Sequence, residues 1–361
     1  MKSGKMKLLC KLKTVLCISL SVMLVMSMML AGCGNDSEKI EVIGKKSDEE
    51  RKPQIGMCFD SFVIERWQRD RDVFVSMAKE LGAEVNVQNA NGDIEEQKNQ
   101  IDYFIKKGMD VIVIVCIDSD SLADSVKKAK DAGIKVIAYD RLINDSDIDL
   151  YISFDNQQVG KLMADTLVDN GIAEKNVIMV GGSVKDNNVS LVEGPFVDIM
   201  KDNNVTILDQ THCDGWKAEL AAEYVSENMD LVEQASAIMC GNDDLAGQVI
   251  NTLSERRLAG SILVTGQDAD LSACQRIVEG TQVMTVYKPV EKLAQQAAEY
   301  AVALAEGKTF ADGETSYIES GSHTVPYVGL DPICVTKDNI DDVIINSGFH
   351  SRDEVYLNVN K

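Results

Sequence analysis

Between Ile55 and Lys288 the chain repeats short apolar runs that each stop on a polar side chain: IGMCF on Asp60, KVIAY on Asp140, LYISF on Asp155, AIMCG on Asn242, ILVTGQ on Asp268 and VMTVY on Lys288. Their length and their β-branched and aromatic content suit strands buried on both faces. Amphipathic stretches lie between them, so the chain reads as βα units building a doubly wound sheet. A first set of strands is expected near Gln54–Phe59, Glu84–Gln88, Asp110–Cys116, Lys135–Tyr139 and Leu150–Phe154, with helices over Ile64–Leu81, Asp93–Lys107 and Ser119–Ala132. Each helix stops at Gly82, Gly108 or Gly133, the residue that best tolerates a left-handed turn.

A second set follows, with strands near Val177–Val180, Thr206–Thr211, Ala237–Cys240 and Ile262–Thr265 and helices over Asn156–Asn170, Asn188–Asp202, Trp216–Asn228 and Asp243–Arg256. The pattern predicts an α/β protein of two Rossmann-like, parallel-sheet lobes. The strand Met284–Lys288 and the helix Val290–Glu306 are assigned to the first lobe, and the strand-poor residues from Ala311 onward return to the second. The expected boundaries are therefore 54–155 plus about 284–311, and 156–283 plus about 312–361.

The leader changes where such a protein works. Five lysines between Lys2 and Lys13 precede an apolar run, Thr14–Leu30, followed by Ala31, Gly32 and Cys33. Small residues directly before a cysteine mark cleavage and lipidation, so 1–32 reads as a signal peptide and Cys33 as the lipidated first residue. The polar stretch 33–53 reads as a flexible tether to the outer face of the cytoplasmic membrane. Nine cysteines suggest a disulfide framework, but two fall in the leader and one carries lipid. Cys58, Cys116 and Cys240 sit within apolar runs as small hydrophobes. A formal charge of −22, more negative still without the leader lysines, repels nucleic acid.

The sheet edge where the polar residues gather is where open parallel sheets bind ligands. An Asp or Asn after a strand is also the ordinary cap of the next helix, and Asp155 and Asp243 fit that reading best. Capping does not account for Asp140 followed by Arg141, or for Lys288 followed by Pro289. Carboxylate, amide and guanidinium groups present planar, paired donors or acceptors that match vicinal hydroxyls, and Arg66, Asp140, Arg141, Asn188, Asn242 and Asp268 supply them, with Lys288 adding a charged donor. Trp67 and Trp216, one per lobe, supply flat apolar faces for a pyranose ring.

Other chemistries fail. Asp145, Asp147 and Asp149 begin like a calcium loop, but Leu150 stands at its glycine position and Asn156 at its final glutamate. Gly181, Gly182 and Ser183 lack the ending of a phosphate loop. His212, His323 and His350 share no metal spacing. No cofactor is implied, and the expected function is binding rather than catalysis. The several aspartates leave a glycosidase open at this point.

The segments ERWQRDRDVFV (Glu65–Val75), VIAYDRLINDSDIDLYISFDN (Val136–Asn156), GNDDLAG (Gly241–Gly247), TGQDADL (Thr265–Leu271) and TQVMTVYKPV (Thr281–Val290) resemble the D-xylose-binding branch of the sugar ABC transporter family. The resemblance implies the type I periplasmic-binding-protein fold, in which two lobes on a three-segment hinge close on one monosaccharide. It implies a sugar ligand set of Arg66, Trp67, Asp140, Arg141, Asn188, Trp216, Asn242, Asp268 and Lys288. It also implies an ABC permease with its ATPase as partner, the alternative being a membrane sensor kinase to which a sugar receptor signals. A repressor of similar core would need a DNA-binding N-terminus, where this chain has its leader. The turn at Val184 and Lys185, the strand end at Cys116 and Ile117, and Ala311–Pro332 depart from the family pattern.

Overall fold

The computed structural model describes residues 51–172, 175–310, 313 and 315–359. The expected signal peptide, the lipidated Cys33 and nearly all of the tether lie outside the described residues. From Lys52 onward the chain forms one compact unit.

The first sheet opens with β1 (Gln54–Phe59), β2 (Glu84–Asn89), β3 (Val111–Ile114), β4 (Lys135–Tyr139) and β5 (Leu150–Phe154). These strands are mutually parallel, and within them each apolar run divides its side chains between two cores. Ile55, Met57 and Phe59 pack with Val111, Val113, Ile137 and Tyr139 against helices Arg66–Glu80 and Val290–Ala305. Cys58, Ile112, Ile114, Val136 and Ala138 pack on the opposite face with Ile101, Phe104 and Val126 of helices Ile94–Lys107 and Ala123–Asp131. Continuous apolar runs arise because both faces are covered. Gly82, Gly108 and Gly133 follow the three predicted helices at φ of +87°, +66° and +78°.

The second sheet holds β6 (Asn176–Gly181), β7 (Thr206–His212), β8 (Ala237–Cys240), β9 (Leu263–Thr265) and β10 (Met284–Tyr287). Val177, Met179, Ala237 and Met239 bury against helices Asn156–Asp169 and Asn187–Asp202. Ile178, Val180, Ile238 and Cys240 face helices Ala218–Glu227 and Asp243–Glu255. Helix Leu271–Glu279, which the hydrophobic pattern did not single out, closes this lobe's edge with Ile340, Ile344 and Val355.

The last third of the chain corrects the expected boundaries. The sequence pattern places Met284–Tyr287 in the first lobe, yet β10 pairs with β9 in the second sheet, and the crossing follows it at Lys288 and Pro289. The sequence pattern places residues from 312 in the second lobe as strand-poor. Instead β11 (Ser316–Ser320) and β12 (His323–Leu330) form a hairpin whose second strand runs parallel to β5 and extends the first sheet. Only after Asp331 and Pro332 does β13 (Ile333–Thr336) return, antiparallel to β10. The hairpin escaped the pattern because β11 is an edge strand with mostly exposed, polar residues, so it lacks the apolar run of a central strand.

The sheet orders are β11-β12-β5-β4-β3-β1-β2 and β13-β10-β9-β8-β6-β7. Both are mixed, since an antiparallel strand flanks each parallel core. The chain passes between lobes after β5, β10 and β12, and the two-lobed α/β class read from the sequence holds. Among the described residues no helix is long and apolar enough to cross a membrane.

Candidate functional site

The carboxyl ends of the parallel strands converge on a cavity between the lobes. All nine residues singled out in the sequence line it: Arg66, Trp67, Asp140 and Arg141 from the first lobe, Asn188, Trp216, Asn242 and Asp268 from the second, and Lys288 at the crossing. Ile64, Gly182, Val189, Glu193, Met239 and Gln267 complete much of the wall.

The charged groups are buried and mutually paired, the condition under which buried charge is tolerated. Arg66 Nη2 donates to Asp140 Oδ2 at 2.8 Å and reaches Asp70 Oδ1 at 3.3 Å, while its Nη1 lies 3.6 Å from Asp268 Oδ1. Lys288 Nζ approaches the same Asp268 oxygen at 3.3 Å. Arg141 Nη1 donates to Asp60 Oδ2 at 2.8 Å and to the Cys116 carbonyl at 3.0 Å, and its Nε lies 2.7 Å from Asp186 Oδ2. Asn188 Nδ2 lies within 3.2 Å of both the Asp140 carbonyl and its Oδ1.

This pairing sets the charge state. Burial alone would raise Asp140, but Arg66, then Lys288 and Arg141, outweigh it and hold the carboxyl below its ordinary value. Burial wins at Asp60, Asp70 and Asp186, which are pushed up despite their arginine partners. The Tyr139 hydroxyl donates to Asp70 and thereby braces Arg66 from behind.

Backbone geometry is specialised here. Asp140, Trp216, Asp268 and Ala269 have φ of 64°, 57°, 96° and 56°, a region disfavoured for side chains with a Cβ. Such strain gathers where a side chain must be aimed against local preference. Trp216 ends a short 3-10 turn, Asp214–Trp216, where the sequence placed a helix start, and the helix begins at Ala218. Its indole lies against Gly182: a Cβ there would sit 2.2 Å from Trp216 Cη2. Arg66 and Arg141 lie over the Trp67 ring, with guanidinium carbons 4.4 and 5.5 Å from its centre.

Asn242 explains itself in two halves. Its Oδ1 caps helix Asp243–Glu255 by accepting from Leu245 N at 3.0 Å, whereas its Nδ2 is buried with no protein partner. The indole N–H groups of Trp67 and Trp216 are likewise buried and unpartnered. Asp155 caps its helix as expected, but Asp243 does not, because Asn242 takes that place and Asp243 turns inward. The sequence reading put Asp60 at the ligand-binding edge but outside the ligand set, and it missed Asp186 and Gln267 as site components. Asp186 had a signal: it precedes helix Asn187–Asp202 and caps it through Asn188 N at 2.9 Å, one residue from an expected ligand.

No group of three or more His, Cys, Asp or Glu side chains among the described residues would hold a metal ion. The six described cysteines are free thiols, five of them buried. Burial pushes Cys58 and Cys116 well above the ordinary thiol value, which removes them as nucleophiles at neutral pH.

A model of the periplasmic binding protein domain matches residues 55–309. The chain is 43% identical over 310 residues to the D-xylose-binding periplasmic protein of Escherichia coli K12, covering 84% of this chain and 93% of that one. It is 41% identical over 308 residues to the D-xylose-binding periplasmic protein of Haemophilus influenzae, covering 84% and 92%. Among solved structures, a carbohydrate transporter solute-binding protein from Chloroflexus aurantiacus in complex with D-glucose superposes with a TM-score of 0.76 at 26% identity, covering 84% of this chain and 98% of that one. An ABC transporter solute-binding protein from Clostridium phytofermentans with bound β-D-glucose gives 0.73 at 27% identity, covering 84% and 99%. The domain match spans most of the chain, and these relatives align along nearly their whole length. The chain therefore belongs to the periplasmic binding protein family, beside its D-xylose-binding members, as a substrate-binding protein and not an enzyme.

Proposed function

We propose that this protein is exported, tethered by lipid on Cys33 to the outer face of the cytoplasmic membrane, captures D-xylose by lobe closure, and hands it to an ABC permease. The observation that carries the reading is the cavity itself. Nine residues from two lobes surround it, and three buried donors, the two indole N–H groups and Asn242 Nδ2, have no protein partner. A neutral polyol with hydroxyls around its rim satisfies such donors without adding charge to a network already balanced internally.

Asp140, Asp268 and Asn188 accept or donate to hydroxyls, while Arg66, Arg141, Asn242 and Lys288 donate. Trp67 and Trp216 cover the apolar C–H faces of the ring. Binding favours closure because only the closed arrangement offers both sets of groups at once. The leader sequence supports the anchor, and the similarity to D-xylose-binding periplasmic proteins supports the choice of sugar.

A thermal-shift screen of pentoses and hexoses tests the ligand. D-Xylose raises Tm most, since at equal ligand concentration stabilisation grows with the logarithm of affinity for the folded state. Equal shifts across all sugars, or none, would remove the assignment. Membrane fractionation tests the anchor: Cys33→Ser releases the protein from membranes.

A further inference from the structure

We propose that Asp243 is a positioning residue for sugar binding: it holds the left-handed turn that presents Asp268 and fixes the neighbouring Asn242. The inference rests on the ligand assignment above and adds to it a residue outside the cavity wall.

Asp243 is almost completely buried, and its side chain is spent inward. Oδ1 accepts from Gln282 Nε2 at 2.7 Å. Oδ2 accepts from Thr285 Oγ1 at 2.7 Å and from Asp270 N at 3.1 Å. The main chain of Asp243 is tied as well: its N–H donates to the Gln267 carbonyl at 3.0 Å, and its own carbonyl accepts from Arg276 Nη2 at 2.9 Å. Arg276 Nε donates to Gln282 Oε1 at 2.9 Å, closing a ring of bonds. The carboxylate fits against Gly266 so closely that a Cβ there would lie 2.1 Å from Oδ1.

What this hub restrains is the turn 268–270. Asp268 and Ala269 are consecutive residues at positive φ, a conformation that local preference opposes. Three main-chain N–H groups anchor it: Asp268 N to the Val286 carbonyl at 2.8 Å, Ala269 N to Thr285 Oγ1 at 3.2 Å, and Asp270 N to Asp243 Oδ2. Thr285 thus links Asp243 to the middle of the turn. Removal of the hub frees the turn to relax toward ordinary φ, which swings the Asp268 carboxylate away from Arg66 and Lys288.

Asparagine cannot substitute. Both carboxylate oxygens face donors, so an amide NH₂ in either orientation opposes an N–H or O–H. Turning the Gln282 amide to compensate would break its bonds to Arg276 Nε and to the Met284 carbonyl.

The test uses the full chain with D-xylose and its C4 epimer L-arabinose, titrated by calorimetry, with thermal unfolding alongside. Asp243→Asn and Thr285→Val each weaken D-xylose binding by about ten-fold or more and narrow the D-xylose to L-arabinose affinity ratio, while Thr285→Ser, which keeps the hydroxyl, recovers both. The ratio is the decisive readout, because a smaller folded fraction lowers both apparent affinities equally. An unchanged ratio in Asp243→Asn and Thr285→Val, with a lowered Tm, assigns Asp243 a merely structural role and overturns the proposal. Should Asp243→Asn not fold, the Val and Ser variants of Thr285 decide alone. Wild-type protein that ignores D-xylose, with Asp268→Ala behaving identically, would instead bring down the ligand assignment together with this inference.

Discussion

Arg141 of the first lobe places its Nε 2.7 Å from Asp186 Oδ2 of the second, and both side chains are almost fully buried. The same guanidinium holds Asp60 within its own lobe, so Arg141 spans the cleft by protein contacts alone. Beside it, Ser119 N donates to the Lys185 carbonyl at 2.9 Å and Asn187 N to Ser119 Oγ at 3.1 Å. Lys185 and Ser119 thus add a second set of contacts between the lobes at this rim.

Asp186→Asn separates the contribution of that pair. Loss of one partner leaves a buried charge half compensated, at a cost of about 3–5 kcal/mol to the arrangement that buries it. That arrangement is the one in which the two lobes meet at Arg141 and Asp186. The expected outcome is weaker D-xylose binding with a larger radius of gyration in the unliganded protein, measured by small-angle scattering. An unliganded scattering profile identical to wild type shows that the pair does not govern closure.

Trp216→Ala removes a large aromatic face, and Asp268→Ala leaves Lys288 without its carboxylate and Arg66 with fewer partners. Each change weakens D-xylose binding by about 3 kcal/mol, roughly a hundred-fold, by titration calorimetry. Unchanged affinity in both variants removes the pocket assignment.

Gly182→Ala tests the seat of the Trp216 indole. Its new methyl would fall 2.2 Å from Cη2 and within 2.4 Å of two further indole carbons, so the indole has to move. Overpacking of this kind costs about 1–3 kcal/mol. Sugar affinity drops by roughly ten-fold or more, with a smaller change in Tm than a core truncation produces. Retained affinity would mean that the ring position is not critical.

Acid dependence follows from Asp244. Burial, then the carboxylates of Asp268 and Glu65, raise it to about 6, above the ~3.9 of an unfolded chain. Between these values the folded state keeps a proton that the unfolded state has shed, so the stability it confers is present on the acid side and lost as pH rises through about 4 to 6. Asp244→Asn, permanently neutral, should raise Tm by about 1–3 °C at pH 7.5 and hardly change it at pH 4. A lower Tm at pH 7.5 contradicts the sign.

Five strands of the first lobe were legible to within about two residues, because runs such as IGMCF and KVIAY are covered on both faces and carry no competing signal. The crossing after β10 was not. Met284–Tyr287 looks the same in either sheet, and its pairing with Leu263–Thr265 and Ile333–Thr336 is a long-range choice. The edge hairpin Ser316–Leu330 was missed because an exposed edge strand needs no apolar run.

At the site, the sequence by itself determined which residues gather. Alternating strands and helices put every parallel strand's carboxyl end on one edge, so a polar residue closing an apolar run must arrive there. Tertiary structure decided what each of them does. Asp243 reads as an ordinary helix-start residue and Asp186 carries no assignment at all; only folding brings Gln282 and Thr285 to the first, and Arg141 to the second. Partnership between buried charges depends on distance and desolvation across segments remote in sequence, and no local pattern encodes either.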